Sequence, residues 1–309
     1  MERSRAVAAV PVPRAERRQL LEAKRIFILP AVGTALLLSI FPMLFSIAMV
    51  FMKLDLVTYE FGFNGLRNIT RLFSDAKLLN TVLVTARFVV TALPAEYLLG
   101  LGLALLLNQK GLRGARFFRV YFVLPMMLSP VAVSYDIGQM LFHETRGPVN
   151  QFLRFLGLPP VHWLSDPAVA LNTLIIIDIW QWTPFVMLLM LAALQSIPDD
   201  VYDAVRVDGA SSWQAFRYVV FPLIAPITAT ALLIRGLEAI KVFETIYVVT
   251  GGGPGVATES ITLYAFQIGF KNLDLGYAAT IAQVLLILIM LAATLYIAVW
   301  RRIAPETTY

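Results

Sequence analysis

Apolar runs of about 20 residues or more recur along this chain, and each is long enough to cross a bilayer as a helix. Six spans are read at about 26–52, 80–108, 117–141, 168–194, 219–245 and 275–300. A β-barrel would show short alternating segments instead. The pattern predicts an all-α fold, a polytopic transmembrane bundle of six spans. One polar interruption, at about 196–218, separates the fourth span from the fifth.

That interruption carries two helix starts. Ser196 is placed as an N-cap, Pro198 sits early, and Asp199 and Asp200 fall in the first turn. A short helix is expected through Tyr202 and Asp203 to about Val207. Asp208-Gly209 then breaks it, because glycine reaches backbone angles other residues avoid. Ser211, Ser212 and Gln214 form a capping-box pattern that restarts a helix. The expected product is two short exposed helices at an angle.

Composition agrees with the membrane reading. The chain has 309 residues, 59% hydrophobic and 15% charged, with a mean hydropathy of +0.74. A soluble domain is about half apolar and about a quarter charged. The first span follows a basic tail (Arg3, Arg5, Arg14, Arg17, Arg18, Lys24, Arg25) and is too long for a signal-peptide core. With the N-terminus inside, that tail, Lys110, Arg113, Arg116, Arg119, Arg206, Arg217, Arg301 and Arg302 are cytoplasmic. The opposite loops hold fewer: Lys53, Arg67, Arg71, Lys77, Arg146, Arg154 and Lys271. The bias predicts both termini and the 196–218 loop in the cytoplasm. The expected division is a tail at 1–25, a transmembrane domain at 26–300 and a second tail at 301–309. Prolines 42, 94, 125, 130, 184, 222 and 226 are expected to interrupt most spans.

Several chemistries drop out. There is no cysteine, and the two histidines, His143 and His162, form no HExxH pair. No metal site is expected. The net charge of +5 reflects residues beside spans rather than a groove, which argues against nucleic acid. The one glycine-rich run, GGGPG at 251–255, lacks the Gly-Lys-Ser/Thr of a phosphate loop and is read as a turn. A membrane enzyme finds no support, since no GxSxG, HExxH or cysteine–histidine set is present.

Ionisable residues at membrane depth are costly and mark function by default. They are Arg87, Glu96, Asp136, Asp178, Arg235, Glu238 and Lys241, with Glu244 near an end. Arg235, Glu238, Lys241 and Glu244 alternate in sign at steps of three, which fits either a self-neutralising ladder or an Arg235 that faces a substrate route. Asp178, Gln181, Trp182 and Phe185 share one helical face. A carboxylate, an amide and aromatic rings suit a sugar. Asp178 and Arg235 alternatively pair with each other; an unpaired Arg235 would instead favour an acidic solute.

The loop resembles the EAA loop of ABC-importer permeases, with Asp203, Ala204, Val205, Gly209 and Val220-Phe221-Pro222 at the motif positions. FNGLRNITRLFSD at 63–75 with Asn80-Thr81, WQWTPFVMLLMLAALQSIP at 180–198 and YVVTGGGPGVATES at 247–260 are similar to the carbohydrate-uptake branch, the binding-protein-dependent maltose/trehalose-type permeases. The resemblance covers roughly residues 25–300. It implies a transmembrane subunit of a bacterial inner-membrane importer for a sugar or sugar-derived solute. Implied partners are a second homologous permease, an ABC ATPase dimer that holds ATP-Mg, and an extracytoplasmic solute-binding protein. No cofactor is bound by the chain itself, which is not an enzyme. The implied coupling residues are Tyr202, Asp203, Ala204, Asp208, Gly209 and Ala210, with Asp203 where the family usually has Glu. The implied substrate pathway is Asp178, Gln181, Trp182, Phe185, Arg235, Glu238 and Ala239. The rival reading is an ion-coupled secondary transporter that uses the intramembrane carboxylates.

Overall fold

The computed structural model describes residues 14–303 except positions 58 and 110, with side chains between 28 and 302. Arg3 and Arg5 of the basic tail, Lys110 and residues 304–309 lie outside the described residues. Helix α1 (Arg14–Val50) takes up the second half of the expected tail, so the first span and the basic stretch before it form one helix. It ends at Val50 rather than at 52. Met52–Asp55 (β1) and Glu60–Phe63 (β2) then pair antiparallel, with Met52 opposite Phe63 and Leu54 opposite Phe61. This small ribbon is a departure from the all-helical expectation. Short α2 (Arg67–Leu72) leads into α3 (Ala76–Leu107), whose N-cap is Asp75.

The third expected span is not one rod. Helix α4 (Ala115–Met127) and the helical stretch Pro130–Leu141 meet at 92°. Leu128 and Ser129 are extended between them, with ψ of 146° and 136°. A residue before proline is pushed out of the helical region, and Pro130 has no N–H to continue the ladder. The stretch after the elbow is α5 (Pro130–Val133) followed by a wide π-helical turn (Ser134–Leu141). Pro94 and Pro184, by contrast, remain inside continuous helices.

After α6 (Pro148–Phe155), α7 (Ala170–Gln195) forms the centre of the bundle. It packs most extensively on α3, and both pack on α10 (Phe221–Ile240). The α3–α7 approach depends on Gly100: a Cβ there would lie 2.8 Å from Val186 Cβ and 2.9 Å from the Met187 backbone nitrogen. Small residues permit such crossings where lipid supplies no hydrophobic drive between helices. Around this contact Leu101, Ala104, Val186, Met187, Met190, Leu194 and Ile224 are buried together. Nearer the other end Phe88, Ala92, Leu174, Ile177 and Ile246 form a second buried group.

The fifth apolar segment runs from Ser212 to Val249 and is interrupted near its end. Helix α10 ends at Ile240, the chain breaks at Lys241, and the helix resumes as α11 (Glu244–Val249). Helix α12 (Ile261–Phe266) and α13 (Leu275–Ile303) complete the chain, and α1 packs against α13. Gln283 Nε2 donates to Ser46 Oγ at 3.0 Å across that pair.

Candidate functional site

The polar loop between α7 and α10 contains α8 (Asp199–Val207) and α9 (Ser212–Ala215). Ser196 is not an N-cap: its hydroxyl donates back to Ala193 O at 2.7 Å and closes α7, and Pro198 occupies the cap of α8. Gly209 turns the chain at φ +69°, and the Ser211–Gln214 capping box starts α9. Helix α9 does not stand apart as a second short helix. It runs through a π-helical turn (Phe216–Val220) straight into α10.

Asp203, Ala204, Asp208 and Gly209 are exposed, and Tyr202 packs its ring against the buried cluster beneath. Asp203 Oδ1 accepts from Arg206 Nη1 at 3.2 Å, with both side chains largely in solvent. Val205, Asp208, Gly209, Ala210, Gln214 and Tyr218 line an open cleft of about 350 Å³ between the two helices. Trp213 and Tyr218 project from its flank, 69% and 73% exposed. The module therefore offers a concave surface on which Asp203 and Asp208 are exposed.

A second constellation lies inside the bundle. Arg235 of α10 places Nε 2.8 Å from Glu96 Oε2 on α3, an ion pair without hydrogen-bond alignment, and Nη2 donates to Glu96 Oε1 at 2.9 Å. The same Nη2 donates to Asp178 Oδ2 on α7. All three side chains are buried. The guanidinium also lies 5.3 Å from the centroid of the Trp182 ring. This resolves the two readings of the step-of-three charges. Arg235 faces inward, while Glu238 is exposed and pairs with Lys241 at 2.8 Å, so no four-residue ladder forms. Arg235 is not unpaired, and the condition that would favour an acidic solute is not met.

Of the seven residues placed on a pathway from the sequence, Asp178, Gln181, Arg235 and Ala239 are buried within the chain's own bundle. Trp182 and Phe185 are partly exposed, and Glu238 is exposed. Gln181 Nε2 donates to Leu128 O at the elbow of the third span, at 3.4 Å. Glu96 is the residue that sequence reasoning named as a charge at depth but left out of the site. Arg87 donates to Asn172 Oδ1 at 3.1 Å, and Asp136 is exposed on the π-helical turn.

At the opposite end of the bundle from α8, Asp75 ties three elements together. Its carboxylate caps α3 by accepting from Leu78 N at 3.0 Å, and accepts from Tyr264 Oη at 2.6 Å and Tyr277 Oη at 2.5 Å. Burial pushes this carboxyl up, but the tyrosine and backbone hydrogen bonds outweigh it and hold it below the ordinary range. Nearby Glu259 is buried against the 251–255 turn with Lys77 Nζ 3.0 Å away. There burial dominates over the Lys77 charge and raises the carboxyl. The glycine run itself is closed by Thr258, which donates to Gly253 O at 2.6 Å and meets Thr250 Oγ1 at 2.8 Å. It follows a helix, not a strand, and presents no lysine to a phosphate.

Residues 96–305 match the family described as binding-protein-dependent transport system inner membrane component. The chain belongs to that family. It is 38% identical over 243 residues to the trehalose/maltose transport system permease protein MalF of Thermococcus litoralis, a match covering 78% of this chain and 81% of that one. It is 32% identical to the sulfoquinovosyl glycerol transport system permease protein SmoG of Agrobacterium fabrum, over 88% of both chains. Among solved structures, the fold matches a bacterial ABC transporter involved in the import of the acidic polysaccharide alginate, with a TM-score of 0.80 at 24% identity. That match covers 93% of this chain and 97% of the other. The permease is thus a multi-pass inner-membrane component of a binding-protein-dependent transport system, a transport subunit rather than an enzyme.

Proposed function

We infer that this permease carries a sugar or sugar-derived solute inward and is driven by ATP hydrolysed on a separate ABC ATPase dimer, which holds the ATP-Mg. Its α8–α9 module is the coupling element, with Asp203, Asp208 and Gly209 at the contact. The reading rests on the exposed cleft between α8 and α9, at the end of the bundle that the Lys/Arg bias assigns to the cytoplasm. Both termini lie on that same side. A second, homologous permease faces this one, and an extracytoplasmic solute-binding protein delivers the solute. The sugar class is supported by relatives named for trehalose/maltose and sulfoquinovosyl glycerol transport. Trp182 and Phe185, half-exposed on α7, are the aromatic surfaces offered to it.

The test is uptake of labelled maltose or trehalose into proteoliposomes that contain the permease with its co-purified ATPase and binding protein. Accumulation that requires ATP and survives collapse of proton and sodium gradients is expected. Accumulation driven by an ion gradient without ATP would establish the secondary-transporter reading instead.

A further inference from the structure

Three charged side chains meet where α3, α7 and α10 cross, and they do not balance if all are ionised. Glu96 and Asp178 bring two negative charges and Arg235 brings one positive. Exposure is 0% for Glu96, 4% for Asp178 and 3% for Arg235, so no counter-ion from solvent has access. The two carboxylates converge on a single guanidinium nitrogen, Nη2. Two carboxylates that share a site away from water disfavour ionising together.

Among the described residues no second cation pairs with Glu96 or Asp178. On α7 the Trp182 ring lies 5.3 Å from the guanidinium, while the Gln181 amide donates to Leu128 O. On α10 the next charged residue, Glu238, is turned outward onto Lys241. Arg87 is engaged with Asn172.

We propose that Glu96 and Asp178 together bind one proton, shared between them, so that the Arg235 guanidinium faces a single negative charge and the three spans are joined by a neutral cluster. The proton is resident rather than transported, because all three side chains that hold it are buried. Removal of either carboxyl removes the need for the proton, since the remaining carboxylate and Arg235 already balance. The inference stands independently of the solute and of ATP coupling.

The experiment is infrared spectroscopy of the full chain, in the assembly with which it co-purifies, in lipid nanodiscs at neutral pH. The protonated-carboxyl carbonyl stretch is compared between wild type, Glu96→Gln and Asp178→Asn, with folding checked by gel filtration and circular dichroism. Wild type is expected to show one such band that is lost in both variants, while bands from other carboxyls remain. If one variant does not fold, loss of the band in the other carries the same expectation. A band that persists in a folded variant places the proton on one carboxyl alone and overturns the sharing. No variant-sensitive band in wild type means that both carboxylates are ionised, which overturns the proposal outright.

Discussion

Arg235 and Glu96 stand 139 residues apart in sequence and meet at two points, Nε to Oε2 at 2.8 Å and Nη2 to Oε1 at 2.9 Å. Asp178 completes the contact from α7. Breaking a buried ion pair by removing one partner costs about 3–5 kcal/mol, because the other charge is left buried and uncompensated. Arg235→Ala is therefore expected to act on folding first. Its melting temperature and yield in detergent should fall well below wild type; normal yield with altered uptake alone would instead assign Arg235 to the solute.

Gly100→Ala tests the α3–α7 crossing. The new methyl would press on the Met187 backbone nitrogen at 2.9 Å, which cannot rotate away. Overpacking of this kind costs about 1–3 kcal/mol. Gly102, two residues on, has open space around its Cβ position, so Gly102→Ala should hold or raise the melting temperature where Gly100→Ala lowers it.

Asp203→Lys tests the α8–α9 surface. The side chain is exposed and its ion pair with Arg206 contributes at most about 1 kcal/mol. Thermal stability should stay at the wild-type value while ATP-driven uptake falls by about tenfold or more, the effect of losing roughly 1.4 kcal/mol of coupling contact. Unchanged uptake would remove Asp203 from the interface.

Gly209→Ala tests the turn at the cleft. A φ of +69° puts any side chain in the left-handed region, at a cost of about 1–2 kcal/mol. Faster proteolysis in the 196–222 loop is expected, with the spans intact by circular dichroism.

Two carboxyls at the opposite end give opposite pH signatures. Asp75 is held below its ordinary range when folded, so its contribution is present above that range and is lost as pH falls through the folded value. Asp75→Asn should abolish that acid-side loss, and should also lower the melting temperature through the weakened cap and tyrosine contacts. Glu259 is raised, so its contribution is full at low pH and declines as pH climbs from the ordinary carboxylate range through the folded value. Glu259→Gln should flatten that alkaline-side decline, measured as melting temperature against pH.

The legible parts of this protein were those that local physics fixes. Five apolar runs became continuous or nearly continuous spanning helices. Gly209 turned the chain where the Asp-Gly pair stood, and Ser211 and Gln214 closed their capping box. Ser196 was misassigned because a hydroxyl at a helix boundary serves the end of one helix as readily as the start of the next. The ribbon at 52–63 is hard to read along the chain because each strand has only four residues, too few for the alternation of Met52-Lys53-Leu54-Asp55 to stand out.

Sequence by itself determined which segments cross the membrane, where the polar loop interrupts them and which charges are carried to depth. Hydropathy, caps and turn residues act within a few positions, so they can be read along the chain. Tertiary structure alone decided that the third span bends by 92° at its middle and that Gly100 sets the α3–α7 distance. It also decided that Arg235 turns away from Glu238 to meet Glu96 and Asp178. Which carboxylate reaches a guanidinium depends on how three helices rotate and cross, and no spacing within one helix encodes that.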